Sequence, residues 1–132
     1  LAPEYGGDKS TVGRCDRLIQ PLMTYPAHWS PMSMLFYNGK MFPANYQGGA
    51  FIAFHGSANR SPVAEEGYQI IYQTFKNGLA ADYTIFASGF AGGGMTPQSA
   101  AHRPVGMAVG PDGALYVSDD RAGRIWRITY KK

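Results

Sequence analysis

Gly110-Pro111-Asp112-Gly113-Ala114-Leu115-Tyr116-Val117-Ser118-Asp119 is the stretch whose reading decides the fold. Pro111 presets φ for a turn, and Asp112-Gly113 supplies a corner that tolerates positive φ. The apolar run Ala114–Ser118 then reads as a strand leaving that turn. Val105–Val109 enters the turn as its partner. Asp119–Gly123 is a second turn and leads to a third strand, Arg124–Tyr130.

Working upstream, four more strands precede these. Ser33–Tyr37 ends at Asn38-Gly39. Ala50–His55 follows Gly48-Gly49. Tyr68–Phe75 closes on Lys76-Asn77-Gly78, and Tyr83–Ala87 comes before a glycine-rich loop running from Gly89 to about His102. Seven short strands separated by turn residues predict an all-β chain. The two halves also echo each other. Gly49-Ala50-Phe51-Ile52-Ala53 parallels Gly113-Ala114-Leu115-Tyr116-Val117, and Gly67-Tyr68-Gln69-Ile70-Ile71 parallels Gly123-Arg124-Ile125-Trp126-Arg127. A repeated four-stranded antiparallel unit is the blade of a β-propeller. Ala50–Phe54 alternates weakly between apolar and polar, as expected of a strand covered on both faces.

The expected architecture is therefore about two blades, over residues 33–132, with residues 1–32 as a connecting loop segment. That segment is punctuated by Pro3, Gly6, Gly7, Gly13, Pro21, Pro26 and Pro31. The last unit has only three strands, and two blades cannot close a ring. Such units leave apolar faces and free strand edges open. The expectation is a piece of something larger, with the remainder of the propeller as its partner. The start at Leu1 rather than Met agrees with a processed product or a fragment.

Charged residues make up 16% of the chain and hydrophobic ones 45%, which excludes disorder. The net charge of +3 comes from scattered basic residues, so a nucleic-acid groove is not expected. No apolar run reaches the length of a membrane span. Cys15 stands alone, either as a buried thiol or as half of a disulfide to sequence outside the chain.

The chemically informative text lies in the loops. It comprises Pro26-Ala27-His28-Trp29-Ser30-Pro31, Tyr46-Gln47-Gly48-Gly49, His55-Gly56-Ser57-Ala58-Asn59-Arg60-Ser61 and His102-Arg103-Pro104-Val105-Gly106, followed by Ser118-Asp119-Asp120. From about Cys15 onward this order resembles the C-terminal third of the sorbosone dehydrogenase family. That family is similar to the soluble glucose dehydrogenases and pyranose dehydrogenases that use pyrroloquinoline quinone (PQQ). His-Gly-Ser-x-Asn-Arg is the most specific part of the resemblance.

The resemblance implies the C-terminal blades of a six-bladed propeller and a quinoprotein sugar dehydrogenase of periplasmic or secreted location. It implies PQQ and Ca²⁺ as cofactors, a sugar substrate, and an electron acceptor such as a cytochrome domain or protein. The Ca²⁺ ligands and the catalytic base are expected upstream of this chain, so no catalytic residue is assigned within it. PQQ is an ortho-quinone with three carboxylates and needs fixed cations and hydrogen-bond donors, and Arg offers a bidentate fork. His55, Asn59, Arg60, Arg103 and His28 are the expected cofactor contacts, and Trp29 is a stacking surface for sugar. Related glucose dehydrogenases carry a second Arg two positions beyond the first; here that place is Val105, so the carry-over at Arg103 is partial.

Plainer roles remain open. Arg60 can cap a loop carbonyl, Arg103 can pair with Asp119 or Asp120, and Asp119-Asp120 can open a tight turn. Two rival functions also stand. One is a non-enzymatic propeller that binds a protein or sugar. The other is a lactonase-type hydrolase with Asp119 as a metal-binding carboxylate. His28, His55 and His102 lack the spacing of a zinc site.

Overall fold

The computed structural model describes residues 17–131. The first half of the connecting segment, residues 1–16 with Cys15, and Lys132 lie outside them. The described chain is all-β, with two antiparallel sheets. Strands β1 (Pro31–Phe36), β2 (Ala50–His55), β3 (Tyr68–Lys76) and β4 (Leu79–Ala87) pair in sequence order. Strands β5 (Pro104–Val109), β6 (Leu115–Asp119) and β7 (Arg124–Ile128) form the second sheet, also in order. A short 3-10 turn, Ala44–Tyr46, lies between β1 and β2.

The strand boundaries differ from expectation mainly at β4, which begins at Leu79 rather than Tyr83. Asn77 and Gly78 both have positive φ, 53° and 78°, so two residues reverse the chain and Lys76 pairs directly with Leu79. Such a turn matches the twist of the flanking strands, and pairing starts at once. β1 starts at Pro31, where the missing N–H faces no ladder partner at the edge of the sheet.

β2 is buried along Ala50–Phe54 because both of its faces are covered. Phe51 and Ala53 point to the core between the sheets, with Tyr37, Phe42, Ile70, Tyr72, Leu115 and Val117. Ile52 and Phe54 point to the opposite face, where Trp29 and Ile71 close over them. The weak alternation in the sequence is the signature of this double burial. β5 packs against β1, β2 and β3 and thereby joins the two sheets.

Tyr37 ties the same junction with hydrogen bonds. Its hydroxyl donates to the Gly113 carbonyl at 2.7 Å and accepts from the Met41 N–H at 3.1 Å. The end of β2, the start of β3, the start of β5 and the end of β6 all lie at one end of the sheet pair. The register shows this, since His55 faces Tyr68 and Pro104 faces Asp119. That end carries every loop singled out above except the Tyr46–Gly49 stretch.

Candidate functional site

Arg103 leaves the glycine-rich loop one residue before β5, with its backbone N–H held by Asp119 Oδ1 at 3.0 Å. Its guanidinium crosses to the first sheet. Nε donates to the His55 carbonyl at 3.0 Å, and a terminal nitrogen donates to the Gly56 carbonyl at 3.2 Å. The guanidinium carbon stands 5.8 Å from the centre of the Tyr68 ring, within cation–π range. Burial pushes the Tyr68 phenol upward, and the nearby Arg103 charge opposes that shift. Among the described residues Arg103 pairs with no carboxylate. The hydrogen bonds of its guanidinium go to neutral carbonyls.

His55 ends β2 beside it, and its Nε2 lies 2.9 Å and 3.1 Å from the two oxygens of Asp120. Gly56 follows with φ of 96°, and a Cβ there would come within 2.2 Å of the Tyr68 ring. Glycine is required at this close approach, where β2 leaves the sheet under the Tyr68 ring.

Arg60 is placed differently. It donates to the Ala64 carbonyl at 2.9 Å and forms an ion pair with Glu66 at 2.7 Å. Arg60 and the Trp29 indole N–H together hold the Glu66 carboxyl below the usual carboxylate range. A guanidinium neutralised by its own loop is not a free anchor for an anion. Asn59 is exposed with φ of 65°, a left-handed turn position that Asn tolerates. His28 is likewise exposed with φ of 64°. Among the described residues no side-chain hydrogen bond joins His28 or Asn59 to His55 or Arg103.

Trp29 corrects an expectation. It is only 8% exposed and packs edge-on against Phe54 at 5.3 Å. A Cβ on Gly67 would strike it at 2.6 Å. Trp29 is therefore part of the core beneath the loop, not an open stacking surface. Its edge contributes to the wall of a cavity of about 350 Å³ that Glu66, Tyr68, Gln69 and Ser88 also line.

Tyr68 and His102 were not named as site residues from sequence, and Asp119 was named only as a partner for Arg103, a turn residue or a metal ligand. Tyr68 read only as the first residue of a strand. His102 and Asp119 form a pair, with His102 Nδ1 2.5 Å from Asp119 Oδ2. Asp119 Oδ1 also accepts from the backbone N–H groups of Arg103, Arg121 and Ala122. Burial pushes the Asp119 carboxyl upward, but these four donors outweigh it and hold the group below its ordinary value. With its oxygens occupied by N–H donors, Asp119 is not the open metal-binding carboxylate the lactonase alternative needs. The signal in the sequence was the Asp119-x-x-x-Gly123 turn spacing, which explains the bonds to Arg121 and Ala122 but not those to residues 102 and 103.

The described residues are thus an all-β sheet pair with the Arg103 guanidinium, His55 and Asp120 gathered at one end. The chain belongs to the TrAA12-like family, whose model matches residues 7–131. A calcium structure of Trichoderma reesei Carbohydrate-Active Enzymes Family AA12 is 27% identical, with a TM-score of 0.64, over 89% of this chain and 30% of that one. An iodide structure of the same family from the same organism gives a TM-score of 0.60 with the same identity and coverage. An uncharacterized protein of Borreliella burgdorferi is 36% identical over 119 residues, 88% of this chain and 30% of the relative. The chain thus spans about 30% of the length of these relatives. These matches correct the affiliation expected from sequence. The loop motifs belong to the TrAA12-like family and not to the sorbosone dehydrogenases.

Proposed function

We propose that this chain is part of a PQQ-dependent oxidoreductase acting on a carbohydrate, in which it supplies a cationic anchor for the cofactor. The observation that carries the reading is Arg103, a partly buried guanidinium with carbonyl partners and, among the described residues, no carboxylate. Its charge suits a carboxylate of PQQ, and a charge-assisted bond there is stronger than a neutral one. The Trichoderma relative's description as a carbohydrate-active enzyme supports the substrate class.

When bound, PQQ supplies a quinone that takes two electrons from the substrate. The residues of this chain bind and orient. Arg103 holds negative charge at the end of the sheets, and Tyr68 forms an apolar floor beneath it. His55, with its imidazole fixed by Asp120, presents a ring edge at the same end. Arg60 and Asn59 shape the loop that borders the cluster and are not counted among the anchors.

The two sheets are proposed as neighbouring blades of a propeller, with residues 33–132 as part of one larger domain. The Ca²⁺ ligands and the catalytic base are placed outside this chain. A separate electron acceptor and a periplasmic or secreted location accompany the quinoprotein reading. Among the described residues no helix is long and apolar enough to cross a membrane.

The test is titration of the intact protein with PQQ and Ca²⁺, followed by quinone absorbance on addition of aldoses. Saturable binding and bleaching by sugar are expected. A protein that takes up no PQQ sinks the proposal. The non-enzymatic alternative predicts that result.

A further inference from the structure

We infer that Asp119 and Asp120 are positioning residues for this cluster, Asp119 fixing the main chain that carries Arg103 and Asp120 fixing the His55 imidazole. The inference rests on the quinoprotein reading for its meaning, but its geometry stands apart from that reading.

Asp119 has no exposed side-chain surface. Oδ1 accepts from the backbone N–H groups of Arg103 and Arg121 at 3.0 Å each and of Ala122 at 3.3 Å, while Oδ2 faces His102 Nδ1. Two of these donors belong to the turn between β6 and β7. The other two belong to the segment entering β5. One carboxylate therefore welds the turn to the segment from which the Arg103 side chain departs. The departure point matters because the guanidinium must cross to the other sheet to reach His55 and Gly56.

Neighbouring residues at a strand end point to opposite sides. Asp119 points inward, and Asp120 points outward and across to β2. Its side chain is 57% exposed, and its hydrogen bonds are to His55 Nε2. An exposed carboxylate whose side chain, among the described residues, bonds only to the imidazole of the other sheet adds little to the fold, since exposed pairs are weak. What it does is set the ring's orientation. The same turn thus presents both members of the cluster, through two adjacent residues with separate tasks.

The pairing also predicts a tautomer. His102 donates from Nδ1 to the ionised Asp119, which leaves its Nε2 without a proton when the ring is neutral.

The experiment uses the intact protein, cofactor-free and then titrated with PQQ, as wild type, Asp119→Asn and Asp120→Asn. Nitrogen-15 NMR reads the His102 tautomer, the His55 Nε2–H signal and the exchange rate of the Arg103 Nε–H. Thermal unfolding reads stability. Asp119→Asn is expected to speed Arg103 Nε–H exchange and to weaken PQQ binding, each by about tenfold, the loss of one well-placed charged hydrogen bond. Asp120→Asn, which replaces a charged acceptor with a weaker neutral one, is expected to broaden or shift the His55 Nε2–H signal and to lower PQQ affinity by about threefold, with the unfolding midpoint unchanged.

The inference is overturned if Asp119→Asn lowers the midpoint but leaves Arg103 exchange and PQQ affinity at wild-type values. It is also overturned if Asp120→Asn leaves the His55 signal and the affinity unchanged, a result that decides the matter even if Asp119→Asn does not fold. If wild type takes up no PQQ, the quinoprotein reading fails, and the NMR results on the cofactor-free protein alone decide the positioning role.

Discussion

Arg103 Nε and the carbonyl of His55 meet at 3.0 Å, although the two residues lie 48 positions apart and belong to different sheets. Because the bond is to main chain, the cation is located by the course of β2 and not by any side chain there. Replacing His55 would leave this contact in place.

Arg103 and Arg60 should behave differently when truncated. Arg103→Ala is expected to weaken PQQ binding by about ten- to a hundred-fold, since a hydrogen bond to a charged group contributes about 1.5–3 kcal/mol. Arg60→Ala is expected to change the affinity little, because Glu66 already neutralises that guanidinium. Equilibrium titration of the two variants checks this. Equal losses would mean that both arginines reach the cofactor.

Gly56→Ala should be strongly destabilising. The new Cβ would sit 2.2 Å from the Tyr68 ring on a backbone with φ of 96°. Strain at such a position together with overpacking is expected to cost about 2–4 kcal/mol. Urea unfolding of wild type and variant measures it. A loss below about 1 kcal/mol would show that Tyr68 swings away freely.

Tyr37→Phe removes a buried hydroxyl that joins the β1–β2 connection to the Gly113 turn. The Gly113 carbonyl and the Met41 N–H would each lose a partner. A destabilisation of about 1–3 kcal/mol is expected, with no change in cofactor affinity. A variant with unaltered unfolding would mean that water replaces the hydroxyl without cost.

Asp119 should make stability fall in acid. Its native carboxyl is held below its unfolded value, which is about 3.9 for Asp. Above that value the unfolded and folded forms are both ionised, and the contribution is fully present. As pH drops through about 4 and below, the unfolded state takes up a proton first and the contribution is lost. Denaturation midpoints from pH 7 to pH 3 should decline, and Asp119→Asn should flatten the decline. An identical slope in the variant would assign the acid sensitivity to other carboxylates.

The sequence by itself determined the seven strands, their grouping into antiparallel units and the loops that carry the chemistry-bearing residues. Turn chemistry and hydrophobic runs are local properties, so Gly110–Gly113 and Ala50–His55 declare themselves without knowledge of their neighbours. The early start of β4 was missed because Leu79–Asp82 reads as a mixed run, while the two positive-φ residues before it settle the pairing. His55 and Arg103 were expected at one site, but the main-chain bond that joins them was not legible. Nor were the neutralisation of Arg60 by Glu66, the burial of Trp29 beneath Gly67, or the use of Asp119 to hold residues 102 and 103. Those outcomes depend on which backbone groups the packing of β5 against the first sheet brings within about 3 Å, the range in which a hydrogen bond forms. Residue type states what a side chain can bind, and only the packing of the two sheets decides which partners are within reach.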